Sequence, residues 1–225
     1  MARIVCVVLL FYVITLSAVA LAAGAERAQE TTKPGSTPKV ILCFGDSLTA
    51  GYGLDPAQAF PAVIQAKIEA RGWDFRVINA GLSGDTTAGG RRRITWVLQR
   101  PIDVLVLALG ANDGLRGLPI AEARHNLQAI IDYTRHKYPQ VKIVLAGMQV
   151  PTNLGRDYTT SFRAMFPALA TTNDAALIPF LLQGVGGIPA LNLPDGIHPT
   201  PAGHTIIAEN VWQVLEPLLQ ALQAP

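Results

Sequence analysis

The chain has 225 residues, enough for one domain with a full core and too few to expect two large ones. Half of its residues are hydrophobic and only 15% are charged, with 18 Lys and Arg against 16 Asp and Glu. So even a balance gives no support to nucleic-acid binding, and two cysteines exclude a disulfide-built scaffold.

Residues 4–23 are almost all apolar, with Arg3 ahead of them and the small-residue triplets Ala20-Leu21-Ala22 and Ala23-Gly24-Ala25 behind. That layout predicts a secretory signal over residues 1–25, and hence a secreted or periplasmic protein. A run of about 20 apolar residues also matches a bilayer, so an uncleaved N-terminal membrane anchor is the competing expectation. Residues 26–38, ERAQETTKPGSTP, read as a flexible linker, which starts the folded domain at residue 39 and extends it to 225. Loss of Arg3 with the signal lowers the 18 basic residues by one against 16 acidic, a net charge near +1. Cys6 would leave with it, so Cys43 would have no partner for a disulfide and reads as a buried strand thiol.

From residue 39 onward, short apolar runs alternate with amphipathic stretches. Strands are expected over residues 40–44, 75–79, 104–109, 143–146 and, more weakly, 176–178. Helices are expected over 61–70, 87–98, 120–136, 159–171 and 202–222. Continuous Val/Ile/Leu runs suit strands buried on both faces, and the intervening helices supply the crossovers that parallel strands require. The fold class is therefore α/β, a three-layer α/β/α doubly wound parallel sheet of about five strands. Arg91-Arg92-Arg93 falls in one of these helices and reads as a solvated face. His125, His136 and His204 also fall in helices and read as structural.

Ligands of such sheets gather beyond the carboxyl ends of the strands. Five unusual polar segments fall there: GDSLTAGYG, GLSGDTT, GANDGLRG, MQVPTNLG and, before the last helix, LPDGIHPT. Gly51-Tyr52-Gly53-Leu54-Asp55-Pro56 lacks the final glycine of a dinucleotide fingerprint, no Gly-Lys-Ser/Thr is present, and no Cys or His pair has metal-ligand spacing.

The chemistry offered instead is nucleophilic. A serine hydroxyl is a weak nucleophile near neutral pH, so acyl transfer needs an imidazole to take its proton and a third group to fix the imidazole's tautomer. Ser47 follows a strand and opens a helical turn, where the local dipole favours developing negative charge. Asp195 and His198 lie three residues apart, and Pro199 biases His198 toward extended backbone. They are the candidate orienter and general base. Candidate donors to an oxyanion are the backbone N–H groups of Ser47 and Gly84 and the side-chain amide of Asn112. Leu115, Leu118 and Leu154 are candidates for an apolar substrate wall.

In this order the residues resemble the SGNH, or GDSL-type, hydrolase family. Ser47, Gly84, Asn112 and His198 match its four sequence blocks, with Asp195 as third member of the triad. The segments GDSLTAGYG, SGDTT, GANDGLRG, GMQVPTNLGRDY and DGIHPT are most similar to its bacterial periplasmic arylesterase and acyl-CoA thioesterase I/lysophospholipase group. The resemblance spans residues 39–219, essentially the whole domain. It implies a flavodoxin-like sheet, no metal or other cofactor, and hydrolysis of small acyl esters or thioesters, lipid-derived ones included, through an acyl-enzyme. Neither nucleic acid nor an obligate protein partner is implied. Asp46 belongs to the same block and is expected to support the turn rather than react. Two other readings share the fold, a carbohydrate O-deacetylase and a noncatalytic ligand-binding module.

Overall fold

Five strands hydrogen-bond side by side, all parallel, in the order β2-β1-β3-β4-β5 in the computed structural model, which describes residues 37–223. The expected signal and the expected linker up to residue 36 lie outside the described residues. The strands are β1 Lys39–Gly45, β2 Phe75–Gly81, β3 Val104–Ala108, β4 Lys142–Ala146 and β5 Ala176–Ile178. Each coincides with an expected strand to within two residues at either end.

Seven α-helices accompany them among the described residues: α1 Ser47–Ala50, α2 Phe60–Ala70, α3 Thr87–Val97, α4 Ala111–Leu115, α5 Ile120–Lys137, α6 Arg156–Thr172 and α7 Pro201–Gln223. Helix α2 packs with α7, whereas α3 packs with α5 and α5 with α6. Apolar spacing explains these faces. Helix α5 buries Ala123, Leu127, Ile130, Ile131 and Thr134, and α7 buries Ile207, Ala208, Val211, Trp212, Leu215 and Leu219, both at three- and four-residue intervals.

Strand β3 is buried along its whole length, and β1 and β4 are buried except at their first residues. Strand β2 departs from the expectation of burial on both faces: it lies at the sheet edge, with only Phe75 fully buried and Arg76 and Asn79 exposed. Helix α6 begins three residues earlier than its apolar pattern indicated and carries Pro167 inside it. The short helix α4 is too brief for any periodicity to announce it.

The strand order reverses between β1 and β3. The chain goes outward from β1 to β2, then crosses back to β3 on the other side, and the connections at that point diverge and leave a crevice beyond the strands' carboxyl ends. Helices α1 and α4 begin there. No helix among the described residues is long and apolar enough to cross a membrane.

Candidate active site

The turn from β1 into α1 requires Gly45. A Cβ built on it would lie 2.0 Å from Thr49 Oγ1 and 2.7 Å from the Ala108 carbonyl oxygen of the neighbouring strand. Asp46 caps α1, its Oδ1 accepting from the Leu48 N–H at 3.0 Å. Ser47 is then the first residue of the helix, so its own N–H has no intrahelical acceptor. Burial pushes the Asp46 carboxyl up to about 7, partly offset by the Leu48 N–H.

The segment after β5 brings the base to this serine. Between residues 192 and 200 the chain folds on itself: the Leu193 N–H donates to the His198 carbonyl at 2.7 Å, and the Thr200 N–H to the Leu191 carbonyl at 2.9 Å. Asp195 Oδ1 accepts from the N–H groups of Ile197 and His198, each at 3.0 Å, which closes a tight turn. That turn leaves Asp195 Oδ2 at 2.7 Å from His198 Nδ1 and His198 Nε2 at 3.0 Å from Ser47 Oγ. Hydroxyl, imidazole and carboxylate therefore stand in series. The hydrogen bonds from His198 and from the two backbone N–H groups hold the Asp195 carboxyl down at about 2, so it is ionised over any useful pH range. An ionised Asp195 keeps the proton on Nδ1 and turns the Nε2 lone pair toward the hydroxyl.

Gly84 and Asn112 stand on the same edge and line the same cleft as Ser47 and His198. The Gly84 N–H donates to no protein acceptor among the described residues, while its carbonyl accepts from Arg116 at 3.3 Å. One proton of the Asn112 amide goes to the Asp85 carbonyl at 3.0 Å. Nδ2 also lies 3.5 Å from Asp46 Oδ2, a weak contact that aims the amide toward the serine turn. The rest of this loop is fixed from below. Asp113 accepts from the Thr87 N–H at 2.8 Å and from Thr87 Oγ1 at 2.6 Å, tying the start of α3 to α4.

The cleft has a volume of about 580 Å³. Its walls include Leu48, Leu115, Val150, Pro151, Phe180 and Leu182, apolar side chains beside the polar cluster. Of the three leucines expected to shape it, Leu115 lines the cleft, whereas Leu118 and Leu154 stand exposed beyond its lining. Tyr52 and Phe180 line it without having been singled out by any sequence pattern.

The remaining candidates are also placed. Cys43 is fully buried, and burial pushes its thiol up to about 12, leaving it unreactive. His204 is buried in α7 with Nδ1 accepting from the Phe60 N–H at 3.2 Å, while His125 and His136 are exposed on α5. The Arg91–Arg93 run is not wholly a solvated face. Arg91 and Arg92 are exposed, but the chain of Arg93 turns inward and donates to Asp85 Oδ2 at 2.9 and 3.1 Å, to the Ala80 carbonyl at 2.9 Å and to the Gly45 carbonyl at 3.1 Å. Its guanidinium lies 4.2 Å from the centroid of the Phe44 ring. A charge run one helical turn long cannot reveal which of its members faces the sheet.

A doubly wound sheet with serine, histidine and aspartate in series at its topological switch point has the form of an α/β hydrolytic enzyme. Comparison with known proteins agrees. Residues 43–206 match the GDSL-like Lipase/Acylhydrolase family, to which the chain belongs. It is 40% identical to Esterase TesA of Pseudomonas aeruginosa over 183 residues, covering 80% of this chain and 90% of that protein. It is 35% identical to Thioesterase 1/protease 1/lysophospholipase L1 of Escherichia coli strain K12 over 181 residues, covering 80% and 84% respectively. The crystal structure of TesA superposes with a TM-score of 0.76, over 80% of this chain and 99% of that one. The protein is thus a hydrolase of ester bonds.

Proposed function

We propose that the protein is a serine esterase and thioesterase that works through an acyl-enzyme on Ser47. The observation that carries this reading is the unbroken series Ser47 Oγ, His198 and Asp195, at 3.0 and 2.7 Å. Neutral His198 takes the Ser47 proton as the hydroxyl attacks the acyl carbonyl, and ionised Asp195 stabilises the imidazolium that forms. The N–H groups of Ser47 and Gly84 and the second amide proton of Asn112, held only by the weak 3.5 Å contact with Asp46, bind the oxyanion. The imidazolium then protonates the departing alcohol or thiol, and water, deprotonated by the same imidazole, releases the acid.

The apolar cleft wall and the thioesterase named among the relatives support acyl esters and thioesters, lipid-derived ones included, as the substrate class. Tyr52, Leu82, Leu115 and Ile197, exposed apolar side chains at this edge, suit such amphiphilic substrates. Residues 1–25 serve as an export signal and 26–38 as a linker to the hydrolase domain, which places the enzyme in the periplasm or outside the cell; the N-terminal sequence of the exported protein checks the cleavage. Ser47→Ala is expected to abolish p-nitrophenyl ester turnover with the melting curve retained. Undiminished turnover would overturn the reading.

A further inference from the structure

Tyr52 lies five residues beyond Ser47, and the end of α1 throws it back over the site. The turn passes through Gly51, whose φ of 76° favours glycine and where a Cβ would meet the Cβ of Ala59 at 2.6 Å. The Tyr52 N–H donates to the Ser47 carbonyl at 3.1 Å, fixing its backbone to the serine turn. Its ring then packs on His198, with the centroids 4.4 Å apart and the planes 35° from parallel. One side of the ring meets the imidazole while the side chain as a whole stays 50% exposed in the cleft.

We propose that Tyr52 is a positioning residue for His198, resting on the general-base reading above: its ring face holds the imidazole in line with Ser47 and stabilises it once protonated. The bond to Asp195 fixes one nitrogen but leaves the imidazole free to pivot about that contact. A ring packed against it, tilted by 35° with centroids 4.4 Å apart, restricts this freedom. When the imidazole takes the serine proton it becomes a cation over an aromatic face at a distance well inside the range of cation–π attraction. The interaction is therefore stronger in the transition state than in the resting enzyme, which is the condition for it to raise kcat. The other groups that face His198 are Asp195 and Ser47 in direct contact, with Asp46 and His204 coupled to it at longer range.

The test compares Tyr52→Phe, which keeps the ring, with Tyr52→Leu, which keeps apolar bulk without it, by steady-state kinetics on a p-nitrophenyl ester across pH, with melting curves for both. The expected result is a wild-type profile for Tyr52→Phe. For Tyr52→Leu, kcat should fall about ten-fold with KM little changed, and the acid limb of kcat/KM should move to lower pH by about half a unit. A Tyr52→Leu enzyme with wild-type kcat and acid limb, or one altered in KM alone, overturns the proposal. So does a Tyr52→Phe enzyme as impaired as Tyr52→Leu, because the hydroxyl would then be the active part. Ser47→Ala in the same assay separates the two readings: if it is inactive while Tyr52→Leu is normal, only the Tyr52 proposal falls.

Discussion

Replacing Arg93 with alanine should damage both stability and turnover, although the residue touches neither Ser47 nor the cleft. Its guanidinium makes two hydrogen bonds to Asp85 and one each to the Gly45 and Ala80 carbonyls, which terminate β1 and approach the end of β2. The side chain of Asp85 is only 7% exposed, so the truncation strands a carboxylate in a poorly hydrated place. Breaking one partner from a largely buried ion pair costs about 3–5 kcal/mol. For a domain of this size that corresponds to a fall in Tm of roughly 10 °C. Turnover should suffer separately, since the Asp85 carbonyl positions the Asn112 amide and Gly45 precedes the serine turn. Arg93→Lys should recover only part of the loss, because an ammonium cannot span the three acceptors that the planar fork reaches. Urea unfolding gives the stability, and kcat at a temperature where the variant is folded gives the catalytic effect. A loss below about 1 kcal/mol, the range of exposed ion pairs, would refute the assignment of Arg93 as an internal strut.

Asn112→Ala should lower kcat about 10²–10³-fold with KM little changed, the size of effect seen when one oxyanion donor is removed; a loss under ten-fold would show that its amide does not face the oxyanion. Two buried groups give opposite pH dependences of stability. Burial holds His204 down at about 4 against an ordinary 6.5, so the unfolded chain is protonated first and the fold weakens as pH falls between those values, by up to roughly 3 kcal/mol. Burial holds Asp46 up at about 7 against 3.8, so the folded chain is protonated first and gains stability over that interval as pH falls. Urea midpoints at pH 4.5 and 7.5 should therefore show His204→Gln gaining on the wild type toward acid and Asp46→Asn gaining toward alkaline pH. Offsets that do not change with pH would contradict both assignments.

The sheet was legible because buried parallel strands are written as unbroken Val/Ile/Leu runs, and β1, β3 and β4 are such runs. Asp195 and His198 were legible because their contact is local, three residues apart within one turn. Ser47, 151 residues from His198, could be joined to it only through the rule that loops of a doubly wound sheet converge at the strands' carboxyl ends. What stayed hidden depends on the direction of single side chains. Arg93 differs from Arg91 and Arg92 only by its position around a helix, and Tyr52 reaches His198 only because the turn after α1 folds back. Leu118 and Leu154 carry the same apolar signature as Leu115, yet only Leu115 reaches the cleft, because hydrophobicity in a loop does not state which way the loop faces.

A covalent acyl-enzyme on Ser47, formed with His198 as base, can be probed by intact-protein mass spectrometry after treatment with a fluorophosphonate, followed by peptide mapping. A single adduct is expected, on Ser47, which is lost in Ser47→Ala and forms far more slowly in His198→Ala. A folded protein that hydrolyses p-nitrophenyl esters while Ser47 stays unlabelled, or one labelled at another residue, would contradict it.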